Sequence, residues 1–231
     1  MLSKLILFDI DGTLLHTRGA GRRAIHAALL AELGAVAPDG VRFDGKTDPQ
    51  IVRELLDCAR HPGAVDEARI AAVCRRYVDL LAAELATPTA HTTVYPGVSA
   101  LLDLLEARGD ALLGLLTGNV ADGARLKLRA AGIVPERFRV GAFGSDHHDR
   151  GALAPVAAER AAPLMGRLPR GAEVVILGDT PADMTCGRSL DARAIGVATG
   201  SYAAADLAAA GAYAVFTDLS DQASVVQAIY A

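Results

Sequence analysis

Asp9 and Asp11 stand two residues apart at the end of an apolar run, Leu5 to Ile10, and are followed at once by Gly12 and Thr13. Side chains alternate along a strand, so the two carboxylates would share a face if the strand continued, and Gly12 permits an immediate sharp turn. Two close anions repel unless a cation lies between them or one keeps a proton, which makes the pair costly to bury for stability alone. A second apolar run, Ala111 to Leu116, ends in Thr117-Gly118-Asn119, where a hydroxyl and free backbone N–H groups suit a phosphate oxygen. A later run, Glu173 to Leu177, ends in Gly178-Asp179-Thr180-Pro181-Ala182-Asp183, with Pro181 suited to open a helix. Singly, each has a plain structural explanation as a cap or a turn. Strands ending at one edge in Asp, Thr and Asp are harder to explain as caps. Together they describe a phosphate-sized site holding a hard divalent cation, and oxygen ligands of this kind suit Mg²⁺.

The elements that must present these residues read as alternating strands and helices. Beside the three runs above, Arg139 to Phe143, Ala194 to Ala198 and Tyr213 to Phe216 have strand character. Helix-period stretches lie between them at Gly97 to Ala107, Asp122 to Ala131, Leu153 to Ala162 and Pro181 to Leu190. That alternation predicts an α/β fold, a Rossmann-like, doubly wound parallel sheet with ligands at the carboxyl ends of its strands. Between the first strand and the rest the rhythm breaks. Ala20 to Leu33, Pro49 to Ala59 and Asp66 to Leu85 read as helices, with turns at Pro38-Asp39-Gly40, Asp44-Gly45, His61-Pro62-Gly63 and Thr87-Pro88-Thr89. The expected organisation is a core of residues 1–14 and 92–231 with an all-α insertion at 15–91.

Composition narrows the setting. The 231 residues are 52% hydrophobic and only 4% aromatic, with a formal net charge of −4, so a core of small aliphatic side chains is expected and no basic stripe for nucleic acid is present. Cys58, Cys74 and Cys186 form no CxxC pair and no metal-ligand spacing, which points to a reducing cytoplasm. No run approaches the roughly 20 apolar residues of a membrane span.

Asp9-Ile10-Asp11-Gly12-Thr13-Leu14, Thr117 and Gly178-Asp179 through Asp183 resemble three of the four motifs of the haloacid dehalogenase superfamily, in order and in spacing. The resemblance spans the chain, with the insertion corresponding to a helical cap placed directly after the first motif. Among capped members the likeness is to phosphoglycolate phosphatases. It implies a Mg²⁺-dependent phosphatase acting on a small phosphorylated metabolite through an aspartyl-phosphate. Asp9 would be the nucleophile, Asp11 the general acid/base, and Thr117, with Gly12, Gly118 and Asn119 around it, the phosphoryl holder. Asp9, the Asp11 carbonyl and Asp179 would hold the metal, with Asp183 in support. A phosphomutase of the β-phosphoglucomutase kind shares these motifs and is the alternative. Dehalogenases lack an acid at the position of Asp11, and phosphonate hydrolases place a small residue there. A phospho-accepting receiver domain, a different class, needs neither the helical insertion nor Asp11.

The missing third motif normally supplies a lysine between Thr117 and Asp179. Lys127 lies ten residues past Thr117, well along a helix, and is expected far from the strand ends. Arg150, after the acidic loop Asp146-His147-His148-Asp149, is expected to fill the position and bridge Asp9, phosphate and Asp183. The loop Asp44 to Pro49 places Thr47 or Asp48 as an N-cap and Pro49 at the first helical position, and would present Lys46 toward a substrate's second polar group. His16 follows the first motif closely, but a role in binding is not expected of it. His147 and His148 are expected on a solvated loop, pointing apart as neighbours on a strand do.

Overall fold

A computed structural model describes residues 2–61, 66–87 and 91–231. Six strands form one parallel sheet in the order β5-β4-β1-β6-β7-β8: β1 Lys4–Phe8, β4 Ala111–Leu116, β5 Val140–Ala142, β6 Val174–Gly178, β7 Arg193–Val197 and β8 Ala214–Phe216. Strand β1 is central, and its alternation feeds both faces. Ile6 and Phe8 pack with Leu113, Leu115, Val175 and Leu177 under the helices α4 (Val98–Arg108), α5 (Ala121–Ala130) and α9 (Gln222–Tyr230). Leu5 and Leu7 pack on the other face with Leu112, Val174 and Ile176 under α6 (Leu153–Met165). Ala154, Ala157, Ala158 and Ala161 line that helix's buried stripe, so small side chains let it lie close to the sheet. Burial on both faces is what turns these strands into continuous apolar runs.

Several bounds differ from the sequence reading. The helix expected over Pro181 to Leu190 is α7 (Pro181–Cys186) followed by a separate 3₁₀ turn at Arg188–Leu190. The junction is Gly187, where a Cβ would run into Ile176 and Ala192, so the chain turns because it must pass close to the sheet there. Helix α8 (Ala204–Ala209) and α9 were not expected, being short and alanine-rich or terminal. Two two-residue strands, β2 (Leu15–His16) and β3 (Thr93–Val94), pair antiparallel where the chain leaves and rejoins the sheet. Pairs this short carry no periodicity to read.

Between β2 and β3 lie α1 (Ala20–Leu33), α2 (Asp48–Cys58) and α3 (Glu67–Leu85), which bury a cluster of their own around Ile25, Leu29, Val52, Leu55, Val73 and Leu81. Residues 62–63 and 88–89 of the expected turns lie outside the described residues. Thr47, not Asp48, caps α2, its Oγ1 accepting from Gln50 N–H at 3.2 Å, with Asp48 the first helical residue. The same loop clasps the sheet edge. Asp48 N–H donates to the Gly118 carbonyl at 2.7 Å, Val120 N–H donates to the Asp48 carboxylate at 2.8 Å, and Thr47 Oγ1 donates to the His148 carbonyl at 2.7 Å. A Cβ on Gly118 would overlap the Lys46 carbonyl backbone. Gly118→Ala should therefore force the loop off the edge and destabilise the fold by about 1–3 kcal/mol, as overpacking does, read as a drop of several degrees in thermal midpoint. Among the described residues no helix is long and apolar enough to cross a membrane.

Candidate active site

The site lies at the carboxyl ends of β1, β4 and β6, as an open parallel sheet dictates. Strand β1 ends at Phe8, yet Asp9 N–H still donates to the Leu177 carbonyl at 3.0 Å, so Asp9 emerges anchored to the central strands. The chain then turns: Leu14 and Leu15 N–H both return to the Ile10 carbonyl, and Gly12 sits at φ 87°. A Cβ on Gly12 or on Gly200 would overlap the Asp179 carboxylate, so both glycines let backbone close around that acid. The turn parts Asp9 from Asp11 instead of leaving them on one strand face, and each carboxylate meets a different cation. Arg150 Nη2 lies 3.1 Å from Asp9 Oδ1, whereas Lys127 Nζ lies 2.6 Å from Asp11 Oδ2.

Asp9, Asp179 and Asp183 each bring a carboxylate oxygen within 4.8 Å of the others, and all three are buried. Thr13 Oγ1 donates to Asp179 at 3.0 Å. Asp183 closes a capping box with Thr180 at the start of α7, accepting from Thr180 N–H at 3.0 Å and Thr180 Oγ1 at 2.7 Å, while its other oxygen meets Arg150. Three carboxylates against one guanidinium leave two negative charges uncompensated. Burial raises the Asp9 pKa to about 6, with further upward pushes from Asp183 and Asp11 and an opposing pull from Arg150. Burial, with Asp183 and Asp9 adding to it, raises that of Asp179 well above the ordinary range. A donor set of hard oxygens with a deficit of two positive charges fits a divalent cation such as Mg²⁺. The Asp11 side chain is not in this cluster.

Arg150 enters from a 3₁₀ turn, Arg150–Ala152, whose preceding Asp149 accepts from Gly151 N–H at 2.9 Å. Asp146 is held instead by Arg160, with both contacts at 2.7 Å, so no surface acid competes for Arg150. The guanidinium is buried, and its Nε is without a hydrogen-bond partner among the described residues.

Thr117 Oγ1 accepts from Asn119 N–H at 3.3 Å and Asn119 Nδ2 at 2.8 Å. The placement of Lys127 overturns the expectation that it lies far from the strand ends. It is buried, and its ammonium donates to Asp11 Oδ2 and to Asn119 Oδ1, both at 2.6 Å. Helix α5 does carry its Cα away from the edge, but side chains on a helix lean toward its N-terminus, and a lysine stem is long enough to return.

A cavity of about 470 Å³ opens between this edge and helices α1 to α3. Beyond the motif residues its wall includes Arg18, Arg22, Tyr77, Tyr95 and Ser201, none of which sequence alone singled out, since no spacing ties them to the motifs. Lys46 is in the wall too, but its ammonium pairs with Glu54. His16 lines the same wall, its ring 5.4 Å from that of Tyr95. His147 and His148 stack with centroids 4.7 Å apart on an exposed loop, where strand alternation does not apply.

The sequence model of the haloacid dehalogenase-like hydrolases matches residues 3–191. The chain is 29% identical over 227 residues to the phosphoglycolate phosphatase of Rhodospirillum rubrum, covering 95% of this chain and 89% of that one. In three dimensions it is similar to a hydrolase from Pseudomonas syringae, with a TM-score of 0.75, 21% identity and coverage of 99% and 100%. It also resembles a β-phosphoglucomutase from Clostridium difficile, with a TM-score of 0.72, 17% identity and coverage of 100% and 97%.

Proposed function

Because the chain belongs to the haloacid dehalogenase-like hydrolase family and is similar to phosphoglycolate phosphatases, we propose that it is a phosphoric monoester hydrolase that cleaves a small phosphate ester through an aspartyl-phosphate formed on Asp9. The observation that carries this reading is the buried cluster of Asp9, Asp179, Asp183 and Arg150, two positive charges short of balance. Asp9, Asp179 and Asp183, with the Asp11 carbonyl, would hold Mg²⁺, which when bound neutralises the charge that sets an anionic phosphate against anionic carboxylates.

The chain's own groups divide the work. An Asp9 oxygen attacks phosphorus and the ester oxygen leaves, splitting one difficult hydrolysis into two displacements. Asp11 gives its proton to that oxygen, then takes one from the water that releases phosphate from Asp9. Thr117 Oγ1 and the Gly118 backbone offer donors to the phosphoryl oxygens, while the Gly12 and Asn119 N–H groups, donating to the Leu15 carbonyl and to Thr117 Oγ1, shape the turns that hold them. The buried Arg150 guanidinium, whose Nη2 already meets Asp9, brings a fixed positive group to the same edge. Residues 15–91 serve as a cap over the cavity, whose closure excludes water and large partners and so selects small diffusible esters. Lys46, if Glu54 yields it, reads the far end of the substrate. Three cysteines without disulfides accord with a cytoplasmic setting.

The fold likeness extends to a hydrolase and a mutase alike, so the products decide between them. A panel of small phosphate esters, phosphoglycolate first, assayed with Mg²⁺ should release inorganic phosphate, and excess chelator should stop it until Mg²⁺ is restored. Phosphate release that persists in chelator would sink the metal role. An isomerised sugar phosphate without phosphate release would establish the mutase instead.

A further inference from the structure

We propose that Lys127 is a positioning residue that, with Asn119, locks one oxygen of Asp11 so that the other is the oxygen that exchanges protons with the substrate. The inference rests on the role of Asp11 in the reading above.

The geometry is a closed network. Asp11 Oδ2 accepts from Lys127 Nζ at 2.6 Å and from Asn119 Nδ2 at 2.8 Å. Lys127 also donates to Asn119 Oδ1 at 2.6 Å, which fixes the amide's orientation, and Asn119 Nδ2 reaches Thr117 Oγ1 at 2.8 Å. The lysine is 5% exposed. A buried ammonium with a carboxylate and an amide oxygen already bound has few other conformations, so it holds Asp11 in one rotamer. A cation here does what the Gly12 turn cannot. The turn frees the Asp11 side chain from the strand, and 40% of that side chain stays exposed to the cavity, so without a tether it would rotate. Oδ1 of Asp11 takes no hydrogen bond among the described residues, leaving it to face the ester oxygen and then the water.

The surroundings show why lysine is tolerated there. Gly21 of α1 lies against the ammonium: a Cβ on it would come 3.3 Å from Lys127 Nζ and 3.7 Å from the Tyr77 hydroxyl. The buried Asp48 carboxylate of α2 acts on Lys127 electrostatically, Lys127 being the largest charge that favours its ionised form. One element of the helical insertion thus packs on the lysine that holds the acid/base of the core, and a second acts on it through charge.

The test separates the proton-transfer role from a merely structural one. Release of 4-nitrophenolate needs no proton donor, whereas release of an alkyl alkoxide does. In Lys127→Met, turnover of an alkyl phosphate should fall by about 10²–10³-fold, within the range of general acid/base contributions. With 4-nitrophenyl phosphate, rapid mixing should show a stoichiometric burst of nitrophenolate within about threefold of the wild-type rate, followed by slow phosphate release, because the base step still needs Asp11. Lys127→Gln, which keeps a neutral donor of shorter reach, should retain part of the alkyl phosphate activity and serves if the methionine variant does not fold. Wild-type turnover of the alkyl ester in either variant would overturn the inference, as would equal slowing of the first step for both esters. A normal burst in Asp9→Asn would instead overturn the aspartyl-phosphate reading itself.

Discussion

Replacing Asp9 with Asn should abolish turnover while leaving the protein folded. The amide cannot carry the phosphoryl group, and no other carboxylate takes its place: Asp179 and Asp183 are committed to Thr13, Thr180 and Arg150, and Asp11 to Lys127. The fold should in fact tighten when metal is withheld. Burial and two neighbouring acids raise the Asp9 pKa from 3.8 to about 6. A carboxyl with a raised folded pKa lends its stability below the unfolded value and loses it as pH rises through the folded one. Removing that carboxyl should therefore raise the thermal midpoint of the metal-free protein at pH 7 to 8, with the gain shrinking toward pH 4. Arg150 still pairs with Asp183 in the variant, so no buried charge is orphaned. Circular dichroism and phosphate release, measured across that pH range, check both halves. Near wild-type steady-state turnover by a folded Asp9→Asn protein would refute the mechanism.

Arg150→Ala should be nearly as severe. Loss of one preorganised donor at a reacting centre typically costs about 10²–10³-fold in turnover, and here the same side chain also ties Asp9 to Asp183. Without it three buried carboxylates face one another with no cation of the chain between them, so a lower thermal midpoint should accompany the kinetic loss, and added Mg²⁺ should recover the stability more than the rate. Arg150→Lys should regain part of the rate, since a point charge can reach Asp9 but cannot fork to Asp183 and the phosphoryl group together. Steady-state kinetics and thermal melts of the two variants, each with and without Mg²⁺, make the comparison. Normal turnover by Arg150→Ala would show that the third motif lies elsewhere.

The strand ends were legible because burial on both faces writes a continuous apolar run, and a run that stops in Asp or Thr marks the edge where a parallel sheet exposes its ligand groups. That logic brings Asp9, Thr117, Asp179 and Asp183 to one edge, and Arg150 was legible from its place after the next strand and before a helix. It fails for Lys127, because sequence distance along α5 is not spatial distance: the side chain doubles back over the helix's first turn. It fails too for the relation between Asp9 and Asp11. Strand alternation would keep them together, but β1 ends at Phe8 and the turn hands each to its own cation. Tyr77 and Arg22 were invisible for another reason: they reach the cavity only through the packing of helices whose own periodicity reports on their shared core, and Arg18 reaches it from the turn before α1.

The central place of β1 also has a consequence for how the chain is made. Leu5 pairs with Leu112 on one side and with Val174 on the other, so this apolar strand leaves the ribosome more than a hundred residues ahead of either neighbour. At roughly 5–20 residues per second, it waits about 5–20 s with both edges open, a state in which unpaired strands invite wrong partners. Helices α1 to α3, with their separate cluster, are synthesised within that interval and can collapse locally before the sheet exists. The strand that carries Asp9 is thus translated early and seated late, which makes newly made chains, more than finished ones, the population that a holding chaperone would engage.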